Sequence, residues 1–336
     1  MKQSVLLGFS GGIDSYTSAR RLMEEGYHVV ALTIDTMGDQ AMVEKAMTKA
    51  TEIGVEWLKY DAREEFKREI IDYFCHEYAI GHTPAPCTRC NPLIKWCTLL
   101  DEANRLGIEH IATGHYFNIE KRNDRYYVTK GADESKDQSY YLWGLSQEIL
   151  SRAITPMGDA IKSDVKQAFA DKSESMGICF LKGLPYADFL RSEGVEMPEG
   201  DIVTTQGDVC GTHNGIARYT IGQRRGVGIP EGMRVVGIDA TRNHIIVGAN
   251  ELLYHHNLHI AECNIVDEEE LLTSDDITIK IRGIGRNPQL PVSVERSTEG
   301  YIVKTQDPAW APALGQPLVF YRNNWVIGGG IVVDFN

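Results

Sequence analysis

The first hundred residues alternate short apolar runs with amphipathic stretches. Ser4-Val5-Leu6-Leu7 is the kind of uninterrupted apolar run that a strand buried on both faces requires. It leads through a Gly/Ser-rich turn into a segment that sets Ala19, Leu22 and Met23 on one helical face and stops at Gly26. The same alternation predicts strands over 29–34 and 55–60 and helices over 40–53 and 64–80. A Pro/Cys-rich loop over 83–92, a helix running to Leu106 and a short strand Ile111-Ala112-Thr113 follow. Strands separated by helices imply an α/β class, a doubly wound parallel sheet covered on both faces. After about residue 200 the period shortens to alternating runs between glycine turns, as at Ile245–Val247, Ile277–Ile281 and Tyr301–Lys304. That change predicts a β-rich C-terminal third, a barrel. The acidic run Asp267–Glu270 reads as a solvated loop.

Composition narrows the classes. With 336 residues, 43% of them hydrophobic, the chain has room for two or three domains. Seven cysteines, odd in number and dispersed, predict free thiols rather than a disulfide framework. Too few apolar residues precede Gly8 for a secretory leader, and no apolar run reaches bilayer length, so a cytoplasmic location and no membrane partner are expected. A net charge of −13 argues against coating nucleic acid through a broad cationic surface, but it leaves room for a local basic patch on a structured RNA.

Two segments carry chemistry. Gly8-Phe9-Ser10-Gly11-Gly12-Ile13-Asp14-Ser15, between a predicted strand and helix, offers backbone N–H groups and a helix N-terminus to an anion. It lacks the Lys-Ser/Thr ending of a Walker A loop and the spacing of a dinucleotide fingerprint. Asp14 suits a cation accompanying a pyrophosphate; an ordinary glycine turn with a capping Asp14 or Ser15 is the alternative. The segment resembles the PP-loop ATP pyrophosphatases. Cys87-Thr88-Arg89-Cys90 precedes a predicted helix, where dipole and cations favour a thiolate; half of a structural metal site is the alternative. Cys179, taken alone between Ile178 and Phe180, reads as a buried, inert cysteine. Read by themselves, His115 is a core-edge histidine, Lys136–Gln138 a solvated turn, Tyr219–Gly226 a hairpin with a basic tip, and Gly328–Gly330 a place of close strand packing.

Taken in order, these blocks resemble the tRNA-specific 2-thiouridylase (MnmA) family over nearly the whole chain. The blocks are Gly8–Ser15, Thr83–Lys95, Ala112–Tyr116, Lys136–Leu142, Gly177–Phe180, Tyr219–Gly226, Gly315–Pro317 and Gly328–Gly330. The resemblance implies a PP-loop, adenine nucleotide hydrolase-like catalytic domain over 1–193, a small central domain over 194–248 and a tRNA-binding β-barrel over 249–336. It implies an ATP site at Gly8–Ser15, Ile34 and Gly114, a nucleophilic Cys90 and a persulfide-carrying Cys179. It places tRNA contacts at Ala85, Pro86, Cys87, His115, Lys136, Asp137, Gln138, Arg282, Gly283 and Gln316, to which the basic pair Arg224 and Arg225 is added. The implied reaction is ATP- and Mg²⁺-dependent adenylation of the carbon-2 oxygen of a wobble uridine, followed by sulfur transfer. A cysteine desulfurase or sulfur relay protein is the implied donor.

Two departures stand out. Cys87 occupies the position where the family usually carries Asp, and the segment after Ile34 is short, running through Asp35-Thr36-Met37-Gly38-Asp39. Cys87, Cys90 and Cys179 together could ligate three irons of a [4Fe–4S] cluster, a second sulfur route. Two other readings remain: a PP-loop ligase or amidotransferase acting on a small molecule, and a non-catalytic cluster-bearing RNA-binding protein.

Overall fold

A computed structural model describes residues 3–167, 177–225, 228–282 and 286–336. Two compact units divide the chain: one holds residues 1–70, 87–175 and 324–326, the other 71–86, 176–323 and 327–336.

In the first unit, β1 (Ser4–Gly8), α1 (Ile13–Glu24), β2 (His28–Asp35), α2 (Gln40–Ile53), β3 (Glu56–Asp61) and the later strand β4 (His110–Ala112) build a parallel sheet. The sheet has the order β3-β2-β1-β4, with the short strand Ala153–Ile154 at its edge. β1 pairs with β2 on one side, Ser4 opposite His28, and with β4 on the other, Val5 opposite His110. Val5, Leu6 and Leu7 are fully buried because both faces of the sheet are covered, which is why an uninterrupted apolar run suits this strand. The order of strand addition reverses at β1, with β2 and β3 laid down on one side and β4 on the other. In doubly wound sheets the crevice beyond the strand ends at such a switch point is where ligands bind.

Of the expected loop over 83–92, residues 83–85 are irregular and the rest is helical. The helix Pro86–Cys90 runs through a π-helical stretch, Asn91–Trp96, into Cys97–Leu106. Pro at a first helical position forgoes only an N–H that has no intrahelical partner and supplies the right φ, so the proline opens this helix.

In the second unit, Glu199–Thr204, Val209–Asn214, Arg234–Asp239 and His244–Gly248 form a four-stranded sheet, and six strands from Tyr254–Ile265 to Trp325–Phe335 form a larger antiparallel one. Gly328 and Gly330 do permit close packing there, since a Cβ would fall 2.3 Å from the Asn264 carbonyl oxygen and 2.7 Å from Cys263 Sγ, respectively. The acidic run is not a solvated loop. Asp267 caps the helix Glu268–Thr273 by accepting from the Glu270 N–H, Glu268 pairs with Arg296, and Glu270 pairs with Arg322. Tyr219–Arg225 is a turn following a short 3₁₀ segment, Ile216–Arg218, rather than a hairpin; Gly226 lies outside the described residues. Among the described residues no helix is long and apolar enough to cross a membrane.

Candidate active site

The Gly8–Ser15 loop leaves the C-terminal end of β1 and enters α1. Gly12 is the N-cap residue of that helix, and no side chain caps it, so first-turn N–H groups face the loop. Gly11 sits at φ +68°, and a Cβ on it would lie 2.8 Å from Ala46 Cα of α2. On the β4 side, a Cβ on Gly114 would fall 3.0 Å from the Asp14 carbonyl carbon and the Ser15 nitrogen. These two glycines let three backbone segments converge into a cradle that side chains would fill. Phe9 is anchored beneath it through its N–H to Leu32 and through its carbonyl, which accepts from Thr33 Oγ1 at 2.8 Å. Ile34 stands at the neighbouring end of β2. The residues present therefore fit the phosphates of ATP.

Asp14 departs from its expected role. Its carboxylate already has a cation: Lys162 Nζ lies 2.6 and 2.8 Å from its two oxygens, and Tyr116 donates its hydroxyl at 2.7 Å. Lys162 is 5% exposed, and its backbone N–H is fixed by Asp133 at 2.9 Å. With its carboxylate engaged by Lys162 and Tyr116, Asp14 would have to exchange one of these partners to take up a cation. The buried ammonium and the Asp14 carboxylate form an ion pair at the first turn of α1, and Lys162 is the cation this pair places beside the cradle. No local signal identifies Lys162 in the sequence, because its partner is 148 residues away.

The turn after Ile34 is closed by its own acids. Asp35 accepts from the Gly38 N–H at 2.7 Å and pairs with Lys59 at 2.9 Å. Burial pushes its pKa up, but Lys59 and the Gly38 and Met37 amides outweigh that and hold it below the ordinary value. A pocket of about 310 Å³ opens here, lined by Asp35, Gly38, Gln40, Val43, Lys59 and Arg63.

Beyond β4, Thr113-Gly114-His115 is tied to the 136–138 turn through Tyr116. The Tyr116 N–H donates to Gln138 Oε1, the Gln138 N–H donates to the Tyr116 carbonyl, and Asp137 accepts from Gly131, Ser139 and the Ser139 hydroxyl. Lys136–Gln138 is thus a locked turn, not a solvated one. His115 stacks on Trp96 and bonds Thr113 Oγ1 through Nδ1 at 2.7 Å. Burial, helped by the nearby Lys95 charge, brings its pKa down to about 3, so it works as a neutral ring. The folded state refuses a proton that the unfolded chain takes up near pH 6.5, so the stability from this group is whole above pH 6.5 and declines as pH falls towards 3. We expect the stability of the parent to fall by about 1.4 kcal/mol more per pH unit in that window than that of His115→Gln, as read from urea melts. Parallel curves for the two proteins would refute the assignment.

Cys87 and Cys90 lie three residues apart on the Pro86–Cys90 helix, Cys87 half-buried and Cys90 5% exposed. Tyr141 is close by: burial first, and the negative charge of Cys87 second, raise its pKa, while its carbonyl accepts from Asn91 Nδ2 at 2.9 Å. Arg89 is turned to Glu69, donating to its carbonyl and its carboxylate. One unit thus gathers the cradle, Ile34, Gly114, His115, Lys136–Gln138, Cys87 and Cys90.

The second unit carries Ala85, Pro86, Cys179, Arg224, Arg225, Arg282 and Gln316. Arg224 and Arg225 are exposed. Arg282 instead donates to the Ile221 and Ala311 carbonyls and stacks near Trp310. Gly283 lies outside the described residues, as do Ser173–Met176. Cys179 is exposed, against the expectation of a buried thiol. Its 3₁₀ turn, Cys179–Leu181, turns Phe180 inward against Phe74 and Phe189, with ring centroids 5.1 and 5.0 Å apart, and this leaves the preceding thiol outside. None of the seven cysteines, all among the described residues, is joined in a disulfide. Among the described residues no group of three or more His, Cys, Asp or Glu side chains is placed to hold a metal ion. The expected iron–sulfur set draws Cys87 and Cys90 from one unit and Cys179 from the other.

An anion cradle at the switch point of a doubly wound sheet, in the same unit as the Cys87–Cys90 pair, defines a nucleotide-binding α/β protein with thiols in its catalytic unit. The family models agree with that class: residues 3–183 match the tRNA methyl transferase HUP domain, 187–249 the tRNA methyl transferase PRC-barrel domain and 255–332 the aminomethyltransferase beta-barrel domain. The chain is 38% identical to tRNA-specific 2-thiouridylase MnmA 3 of Bacteroides fragilis, covering 99% of this chain and 95% of the relative. It is 38% identical to MnmA 2 of Phocaeicola vulgatus, over 98% and 97% of the two chains. MnmA 1 of Clostridium botulinum is 36% identical over 99% of both. The chain belongs to the tRNA-specific 2-thiouridylase family.

Proposed function

We propose that this enzyme replaces the carbon-2 oxygen of the tRNA wobble uridine with sulfur, using ATP to activate that oxygen. The observation that carries this reading is the cradle of Gly11, Gly12 and Gly114 with the buried Lys162 ammonium, in the same compact unit as Cys90. The first-turn amides of α1 and Lys162 hold the phosphates while the uridine oxygen attacks the α-phosphorus and pyrophosphate departs. Activation is needed because a carbonyl oxygen is otherwise a very poor leaving group. Ala85–Cys87, His115 and Lys136–Gln138 hold the uridine; Arg224, Arg225, Arg282, Gly283 and Gln316 hold the rest of the tRNA.

For the sulfur step we favour the persulfide route, because Cys179 is an exposed thiol that a sulfur-donor protein can reach. The terminal sulfur of a Cys179 persulfide attacks carbon 2, and the carbon–oxygen bond to AMP breaks. Cys90 thiolate then attacks Cys179 Sγ, the sulfur–sulfur bond breaks, and a Cys90–Cys179 disulfide remains for an external thiol to reduce. The domain ends near residues 193 and 248 belong to the same proposal, as does a cytoplasmic location.

The test is direct. Purified protein with tRNA, ATP and a persulfide donor should form AMP, pyrophosphate and 2-thiouridine, the last measured by mass spectrometry of tRNA nucleosides. Pyrophosphate release that is independent of tRNA, with a small molecule adenylated instead, would favour a ligase. For tRNA binding, a chain of net charge −13 must rely on local cations. Arg224→Ala with Arg225→Ala should lower the slope of log affinity against log salt by about 1.5. An unchanged slope in filter-binding titrations would remove these arginines from the interface.

A further inference from the structure

Within the second unit, the segment that leads to Cys87 and Cys90 is fastened to two loops. The Thr83 N–H donates to the Leu314 carbonyl at 2.8 Å, and Thr83 Oγ1 lies 3.2 Å from Thr220 Oγ1. One residue earlier, His82 Nδ1 meets Glu77 Oε2 at 2.8 Å, and the His82 N–H donates to the Glu77 carbonyl. Gly315 sits at φ +82° against this pair: a Cβ there would lie 2.9 Å from Glu77 Oε2 and 3.1 Å from His82 Cβ. The Leu314 loop continues into Gln316. The Thr220 loop continues into the arginines, its own N–H donating to Gln223 Oε1 and Gln223 Nε2 donating to the Arg225 carbonyl.

From Thr83 the chain has little freedom before Cys87. Pro84 and Pro86 are both buried and both fix φ, so Thr83-Pro84-Ala85-Pro86 acts as a short stiff link. Pro86 is the last residue of one unit and Cys87 the first residue of the next stretch of the other.

We propose that Thr83 is a positioning residue: it clasps the Gln316 loop and the Arg224–Arg225 loop to the stiff link that ends at Cys87, so that tRNA held on those loops sets where the reactive helix begins. This rests on the functional reading above. The clasp predicts a defect in turnover rather than in tRNA binding.

The experiment compares the full-length parent, Thr83→Val, Thr220→Val, the double variant and Thr83→Ser in steady-state thiolation of tRNA, with melting curves for each. Losing the hydroxyl pair should lower kcat about fivefold and leave the KM for tRNA unchanged. The double variant should be no slower than either single one, because the two hydroxyls serve one contact. Thr83→Ser, which keeps the hydroxyl, should retain the parent rate. Parent kcat in Thr83→Val, an equal loss in Thr83→Ser, or a loss that follows a lowered melting temperature overturns the positioning role. A parent that forms no 2-thiouridine overturns the functional reading instead, so the two failures are separable.

Discussion

Lys162→Met should lower tRNA-dependent pyrophosphate release by about a hundredfold, the scale of losing one preorganised charge at a reacting phosphate. The protein should remain folded. Asp14, whose side chain is 33% exposed and which keeps the Tyr116 hydroxyl, can be solvated without its ammonium partner. Asp14→Asn is the harsher change for stability. It leaves a 6%-exposed ammonium without its carboxylate, and breaking a buried pair from one side costs about 3 kcal/mol. The double variant Asp14→Asn with Lys162→Met removes both charges, so it should regain most of that stability while remaining inactive. Urea melts and pyrophosphate release measured on the three variants separate the roles. Parent-rate pyrophosphate release from Lys162→Met would show that the ammonium serves only to hold α1. Equal instability of Asp14→Asn and the double variant would show that the pair is not coupled.

That pair marks the boundary of what the sequence discloses. The phosphate cradle is legible because strand, glycine turn and helix are consecutive and each announces itself by period or composition. Its charge is not legible, because Lys162 reaches Asp14 across 148 residues and looks in sequence like any exposed helical lysine. Local composition misleads in three other places for physical reasons. Pro84-Ala85-Pro86-Cys87 has the makeup of a loop, yet Pro86 suits the first position of a helix. Asp267–Glu270 looks solvated, yet Asp267 is a helix cap and two of the following acids have arginine partners. Cys179 lies between Ile178 and Phe180, and apolar neighbours suggest burial, but the 3₁₀ turn spends the buried position on Phe180.

Cys87→Ser should thiolate tRNA within about twofold of the parent, whereas Cys90→Ser and Cys179→Ser should each lose activity by about a thousandfold, as expected when a covalent relay loses a member. The reason lies in the helix. A thiol three residues from a reactive cysteine would be a hazard in a flexible loop, where the two could close into an unproductive disulfide, and a cluster that occupied both sulfurs would be one way to avoid that. On the Pro86–Cys90 helix the hazard is already contained. Side chains at i and i+3 have Cβ atoms about 5–6 Å apart, wider than the roughly 3.5–4.5 Å a disulfide spans, so joining Cys87 to Cys90 would require the first turn to distort. Cys87 then needs no metal to coexist with Cys90. Under the proposed function its half-buried thiol beside Tyr141 contacts the tRNA, a role that serine fills nearly as well. The comparison is made on protein purified without oxygen and assayed for iron, visible absorbance and thiolated tRNA. Iron bound in the parent and lost in Cys87→Ser, with thiolation lost in step, would establish three thiolate ligands and displace the persulfide relay. Thiolation retained in Cys87→Ser without iron leaves Cys179 and Cys90 as the two sulfurs the reaction uses.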